Sequence, residues 1–229
     1  MLYDLINHNI DFTTFILYVI SALIVILITL PIHEWAHGFA ATKLGDPTPR
    51  YQGRLTLNPL AHIDYIGSLM IFLFGFGWAK PVQVNPRYFK NPKRDMAITA
   101  FAGPLSNIVV AFIALFICNI LFYICNGLSA IPVWITYIYS VFIYIAQINV
   151  SLAVFNLIPI PPLDGSRLLS AFLPDRIYYK LMQYERYSFI ILIVLLSTGI
   201  LDYPRSFLFK YIIRGISWVA NLPFSLIFG

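Results

Sequence analysis

Between Met96 and Leu163 the chain runs for 68 residues without an Asp, Glu, Lys or Arg. An ordinary soluble domain has about a quarter of its residues charged and does not contain such a run. Roughly 20 apolar residues carry a helix across a bilayer, so this stretch alone holds at least two crossings. A second charge-free run covers Phe12 to Ile32. The whole 229-residue chain agrees: 59% of its residues are hydrophobic, 11% are charged and the mean hydropathy is +0.78. The apolar runs are continuous rather than alternating, which selects helical spans over barrel strands. The first run is too long for a signal peptide's apolar core, has no basic residue ahead of it and no small-residue cleavage site behind it. It is therefore expected to remain as a span.

That first span is expected to cover about 12–32 and to continue as helix through the segment HEWAH, residues 33–37, toward Gly45, with a kink at Pro31. Further spans are expected at 97–125, where Pro104 suits a first turn, at 133–158, and in a compact form at 187–201. The apolar stretch 65–79 is short and contains three glycines, so it is expected to enter and leave on one side. RLTL, from Arg54, alternates as a short strand does, and WAKPVQVNP, 78–86, is a candidate partner strand. A short surface helix is expected within 166–186, and 206–228 is either a further span or an interfacial helix. The expected fold is an all-α polytopic membrane protein. It has about five to six transmembrane or re-entrant segments and a small membrane-associated β-hairpin or sheet. One integral-membrane domain over 1–229 is expected, with its core at 12–200 and no internal repeat or soluble module.

The net charge of +5 belongs to topology rather than to nucleic acid. The stretches 43–94 and 167–186 hold 12 of the 15 Lys and Arg, and basic loops mark the cytoplasmic side. HEWAH is then expected toward the cytoplasmic face of a cytoplasmic membrane, with the lipid bilayer as one partner. Cys118 and Cys125, seven apart in an apolar run, are expected to act as small apolar side chains.

HEWAH sets two histidines and a glutamate at the end of a span, where an uncompensated carboxylate costs several kcal/mol. On a helix His33 and His37 share one face and can grip one metal ion, while Glu34 is offset and can reach a water on that ion. This is the HExxH arrangement of zinc hydrolases, in which the carboxylate takes a proton from the water. A third ligand is needed. Asp164 stands out among His8, His62 and the aspartates. It follows the 68 uncharged residues, in IPIPPLDG, where three prolines force an irregular backbone near membrane depth. An N-cap role for Asp164 is the competing reading. Glu185 lies in a basic polar stretch and is expected at the surface. Asn156 can donate to a substrate oxyanion or serve as interhelical glue. Asn107 in GPLSN is expected to be glue or a backbone partner rather than catalytic. His62 and Asp64 can ligate metal, but are expected to anchor the hairpin at the interface through hydrogen bonds.

HEWAH at a helix end, AGPLSN opening a later helix and NLIPIPPLDGSRLL together resemble the site-2 protease family of intramembrane zinc metalloproteases. The family pattern NxxPxPxxDG is matched by Asn156, Pro159, Pro161, Asp164 and Gly165, and GRLTLNPLAHID and GWAKPVQVNP are similar to the short bacterial members. The resemblance implies one Zn2+ per chain held by His33, His37 and Asp164, with Glu34 as base and Asn156 facing the substrate. It implies cleavage of transmembrane-protein substrates within or near the bilayer, with the strands at 54–58 and 80–85 forming a sheet to which unwound substrate adds. The PDZ and C-terminal regulatory modules of many relatives are not seen in this chain. The alternatives are a metal-binding transporter, disfavoured because no ladder of polar residues runs through the spans, and a non-catalytic membrane scaffold.

Overall fold

A computed structural model describes residues 11–74, 80–126, 128, 130–174, 176–177 and 187–228. The architecture is helical: α1 (Phe12–Lys43), α2 (Tyr65–Phe74), α3 (Pro92–Cys125), α4 (Val133–Asn156), α5 (Asp164–Ser170), α6 (Ser188–Ser197) and α7 (Asp202–Phe228). Helices α1, α3 and α4 are each long and apolar enough to cross a membrane. The pair α6 and α7, bent by 85° at the break, adds a fourth if it counts as one span.

α1 begins at Asp11, whose carboxylate accepts the amide of Thr14, and ends at Gly45, whose φ of +112° suits a residue without a side chain. Within it, residues Val25–Thr29 form a wide π-turn. Pro31 has no N–H to give the carbonyl four residues back, and a widened turn just before it absorbs the mismatch. One extra residue turns the rest of the helix by about 100°. Beyond that turn His33, Glu34, His37, Gly38 and Ala41 all face inward. The core between α1, α3 and α4 is built on small residues: Ala22, Ala111, Ala114 and Ala146 are buried together with Val25, Val150 and Val154. Small side chains let membrane helices approach closely where no hydrophobic drive separates protein from lipid. Two polar groups share this core, Asn149 donating to the Ile145 carbonyl at 2.8 Å and lying 3.5 Å from the Thr29 hydroxyl.

Several boundaries differ from expectation. α3 starts at Pro92, so Pro104 sits in the helix interior rather than in its first turn. The early start comes from a reciprocal cap: the Asp95 amide donates to the Asn91 carbonyl and the Asn91 amide donates to the Asp95 carboxylate. α6 covers ten residues of the compact 187–201 segment, about 15 Å of helix, too little to cross alone. For 65–79, α2 is described and 75–79 lie outside the described residues.

The expected β-hairpin is not formed: no strand occurs among the described residues. Several of the backbone groups that would pair are already spent. In the first segment the Arg54 amide donates to the Pro49 carbonyl, and the Thr56 carbonyl accepts from the His62 ring at 2.8 Å. In the second, the Lys80 amide donates to the His62 carbonyl. The amides of Val82 and Asn85 donate to the carboxylates of Glu34 and Asp46, at 2.8 and 2.7 Å. Distant carboxylates thus take the place of a partner strand.

Candidate active site

α1 delivers His33, Glu34 and His37, all buried, to the face of α3. The turn after α4 and the first residue of α5 bring Asp164 to the same point. Its carboxylate oxygen lies 3.4 Å from His33 Nε2 and 3.3 Å from His37 Nε2, and the two imidazole nitrogens are 3.0 Å apart. Among the described residues these three are the one group of His, Cys, Asp or Glu arranged to share a metal ion.

The other ring nitrogens set what these atoms present. His37 Nδ1 is 2.8 Å from the Thr99 carbonyl, which can only accept, so that nitrogen carries the hydrogen. His33 Nδ1 donates likewise to Asn107 Oδ1 at 3.3 Å. Both Nε2 atoms then face the carboxylate as bare lone pairs, and that carboxylate oxygen, Asp164 Oδ2, is buried with no hydrogen-bond partner. With both imidazoles neutral, three acceptors converge without a donor, an arrangement that a shared cation satisfies. A tetrahedral ion at about 2.0–2.1 Å from each donor sets neighbouring donors about 3.3 Å apart, in line with the observed spacing. The residues present therefore fit a divalent cation.

α3 shapes the space. An added Cβ at Gly103 would stand 2.3 Å from His37 Nε2 and 2.6 Å from His33 Cε1, so the absence of a side chain there is what lets the imidazoles lie against α3. Gly165 plays the matching part for Asp164: a Cβ on it would come within 2.3 Å of the Leu157 carbonyl oxygen.

Glu34 lies beside the donor group with one carboxylate oxygen held by the Val82 amide. Glu34, the three donors and Asn156 line a cavity of about 620 Å³ whose walls include Leu30, Val82, Leu152, Phe155 and Leu192. The structure thus brings together all five residues singled out from the sequence. It does not bring in His62, which is fully buried within its own loop, or Asp64, which caps α2 through the Gly67 amide. His8 and Glu185 lie outside the described residues. Asp164 opens α5, but its carboxylate is directed at the histidines rather than at the helix amides.

Asn107 is where the sequence reading fell short. Its bond does join two helices, as glue does, but the group it holds is the His33 ring. Thr99, Gly103 and Asn107 recur every four residues and so line one face of α3, a spacing visible in the sequence. Asn107→Leu is expected to keep the fold and weaken zinc affinity by about 10- to 100-fold, the usual range for a partner behind a metal-binding histidine. Competition titration against a chromophoric chelator measures this.

Residues 124–198 match the model of Peptidase family M50. That stretch contains Asn156 and Asp164 but not HEWAH. YwhC of Bacillus subtilis, named as a candidate zinc metalloprotease, is 40% identical over 181 residues, covering 79% of this chain and 81% of the relative. Rip2 of Mycolicibacterium smegmatis, named in the same way, is 30% identical over 184 residues, covering 77% of this chain and 66% of the relative. MJ0611 of Methanocaldococcus jannaschii is 30% identical over 142 residues, covering 60% and 62%. The chain thus spans most of YwhC and just under two thirds of the other two. No solved structure matches it.

Proposed function

We propose that this chain, which belongs to peptidase family M50 and is a zinc metalloprotease of the membrane, cuts the transmembrane segments of other membrane proteins within or near the bilayer. The observation that carries the reading is the sharing of one apolar cavity by Glu34 and the three-donor group beside the spans. An unwound transmembrane segment is an apolar peptide, and this cavity has apolar walls with polar groups gathered at one place.

In this reading His33, His37 and Asp164 hold the zinc ion, which when bound lowers the pKa of a water and polarises the scissile carbonyl. Glu34 takes the proton of the attacking water and returns it to the leaving amine. The Val82 amide occupies one Glu34 oxygen and so steadies the carboxylate while its second oxygen works. Asn156 supplies a side-chain amide to the developing oxyanion. Asn107 and the Thr99 carbonyl keep both imidazoles in the tautomer that offers Nε2. The basic stretches 43–94 and 167–186 support an orientation with this centre toward the cytoplasmic face of a bacterial membrane. The single domain over 1–229 carries the whole site, since its members come from α1 through α5.

The protein reconstituted in lipid with a single-span reporter is expected to cut it, to lose at least about 100-fold in rate on chelation, and to recover with zinc, as metal-dependent hydrolysis requires. Cleavage that survives complete removal of metal would overturn the mechanism. Cleavage confined to a soluble peptide, with no cut in the embedded reporter, would overturn the substrate class alone.

A further inference from the structure

α7 places a cation where lipid is expected. Its inner face, including Phe209, Ile212, Ile216 and Ala220, packs on the core shared by α1, α3 and α4. Toward its end the Phe224 ring lies 5.2 Å from Phe116 and 5.0 Å from Tyr123, centroid to centroid, near the end of α3. By composition α6 and α7 are apolar enough for a crossing only as a bent pair, and the seat of α7 on α3 and α4 is what sets it to run across the membrane beside them. The outer face carries Lys210 and Arg214, one turn apart and both exposed, beside the exposed Tyr211 and Trp218.

Depth separates the two cations. α7 opens with an exposed ion pair between Asp202 and Arg205 at 3.1 Å, a pairing suited to the headgroup region. At about 1.5 Å per residue Lys210 is some 8 Å further along, within a long side chain's reach of that region. Arg214 is about 14 Å beyond Arg205 and about 20 Å from the other end of the helix, close to the middle of a hydrocarbon layer about 30 Å thick. Among the described residues neither has an acidic partner. Ionisable groups at such depth are matched by an opposite charge or a polar cavity.

We infer that the outer face of α7 docks a transmembrane helix of a different protein, and that a carboxylate at mid-depth on that helix pairs with Arg214. A second copy of this chain does not supply the group. Its runs 12–32, 96–163 and 187–201 are free of charge. Asp164 is committed to the histidines, and Asp202 to Arg205 at the helix end. The catalytic cavity is lined by no residue of α7, so a helix seated there leaves the cleft open to substrate. The partner is therefore a companion subunit of acidic single-span type.

The full chain, labelled at Leu226→Cys and placed in lipid nanodiscs, tests this. The probe is a synthetic Leu/Ala transmembrane helix with one central Glu, read by energy transfer against the same helix with a central Gln. The Glu helix is expected to associate at least tenfold more tightly. Arg214→Leu is expected to erase the difference and Arg214→Lys to keep it, with zinc content and reporter cleavage unchanged in both. Equal association of the two helices, or a Glu preference that survives Arg214→Leu, would overturn the inference. So would Arg214-dependent energy transfer between two copies of the protein itself, since the partner would then be this chain.

Discussion

Replacing Glu34 with Gln is expected to leave the protein folded and loaded with zinc, and to slow cleavage about a thousandfold, within the range for a lost general base. The amide is isosteric with the carboxylate, and its oxygen can still accept the Val82 amide, so the side chain keeps its place. The three donor atoms are untouched. What disappears is the ability to accept a proton, the one step that neither imidazole can take over, since both Nδ1 atoms already donate and both Nε2 atoms face the ion. Metal analysis, thermal unfolding and cleavage of a single-span reporter read the three quantities separately. Loss of zinc in step with loss of activity would show that Glu34 belongs to the donor set. Cleavage within tenfold of the parent would remove it from the reaction.

Gly103→Ala is expected to be nearly as damaging for a different reason. One methyl group would occupy a point 2.3 Å from His37 Nε2, the atom that should meet the metal. The rings cannot swing aside freely, because Thr99 and Asn107 hold their far sides. Zinc affinity is expected to fall by at least about 100-fold, the upper end for disturbing the atoms behind a metal ligand, and cleavage to fall with it. Helix propensity works the other way, since Ala favours helix over Gly by about 1 kcal/mol. Gly215→Ala, in α7 with open space around its Cβ, is the control and should retain both zinc and activity. Gly103→Ala with full zinc occupancy would mean that α3 stands farther from the histidines than the structure has it.

The candidate site is legible because its physics is local and conspicuous. His33 and His37 at helical spacing, an acid between them and a lone Asp164 after 68 uncharged residues are anomalies in an apolar chain, and their cost had to be balanced somewhere. The three long spans were legible from length and apolarity for the same reason. The hairpin was misread because alternation in a short segment says which faces differ, not who pairs with the backbone. The amides of Val82 and Asn85 found Glu34 and Asp46, partners 48 and 39 residues away. Asn107 was undervalued because a buried amide in a membrane helix serves as glue or as a ring's partner with equal ease. Its spacing with Thr99 and Gly103 carried the missing hint. The sequence leaves α7 open between span and interface because Lys210 and Arg214 lower its apolarity, while its packing along α3 and α4 is invisible without the fold.

The placement of Asp164 has a consequence for the order of synthesis. His33 and His37 leave the ribosome early, and the third donor follows His33 by 131 residues. At about 5–20 residues per second that interval is on the order of 10 s, during which α1, α3 and α4 can enter the membrane side by side. Throughout it the base and both imidazoles are present while the donor set is short by one. A hydrolase that completes its metal site only after α1, α3 and α4 are made is unarmed while those three helices are the unfolded apolar segments nearest to it. With Asp164 as the proposed third donor, prematurely ended chains that lack it are expected to be inert by the same rule.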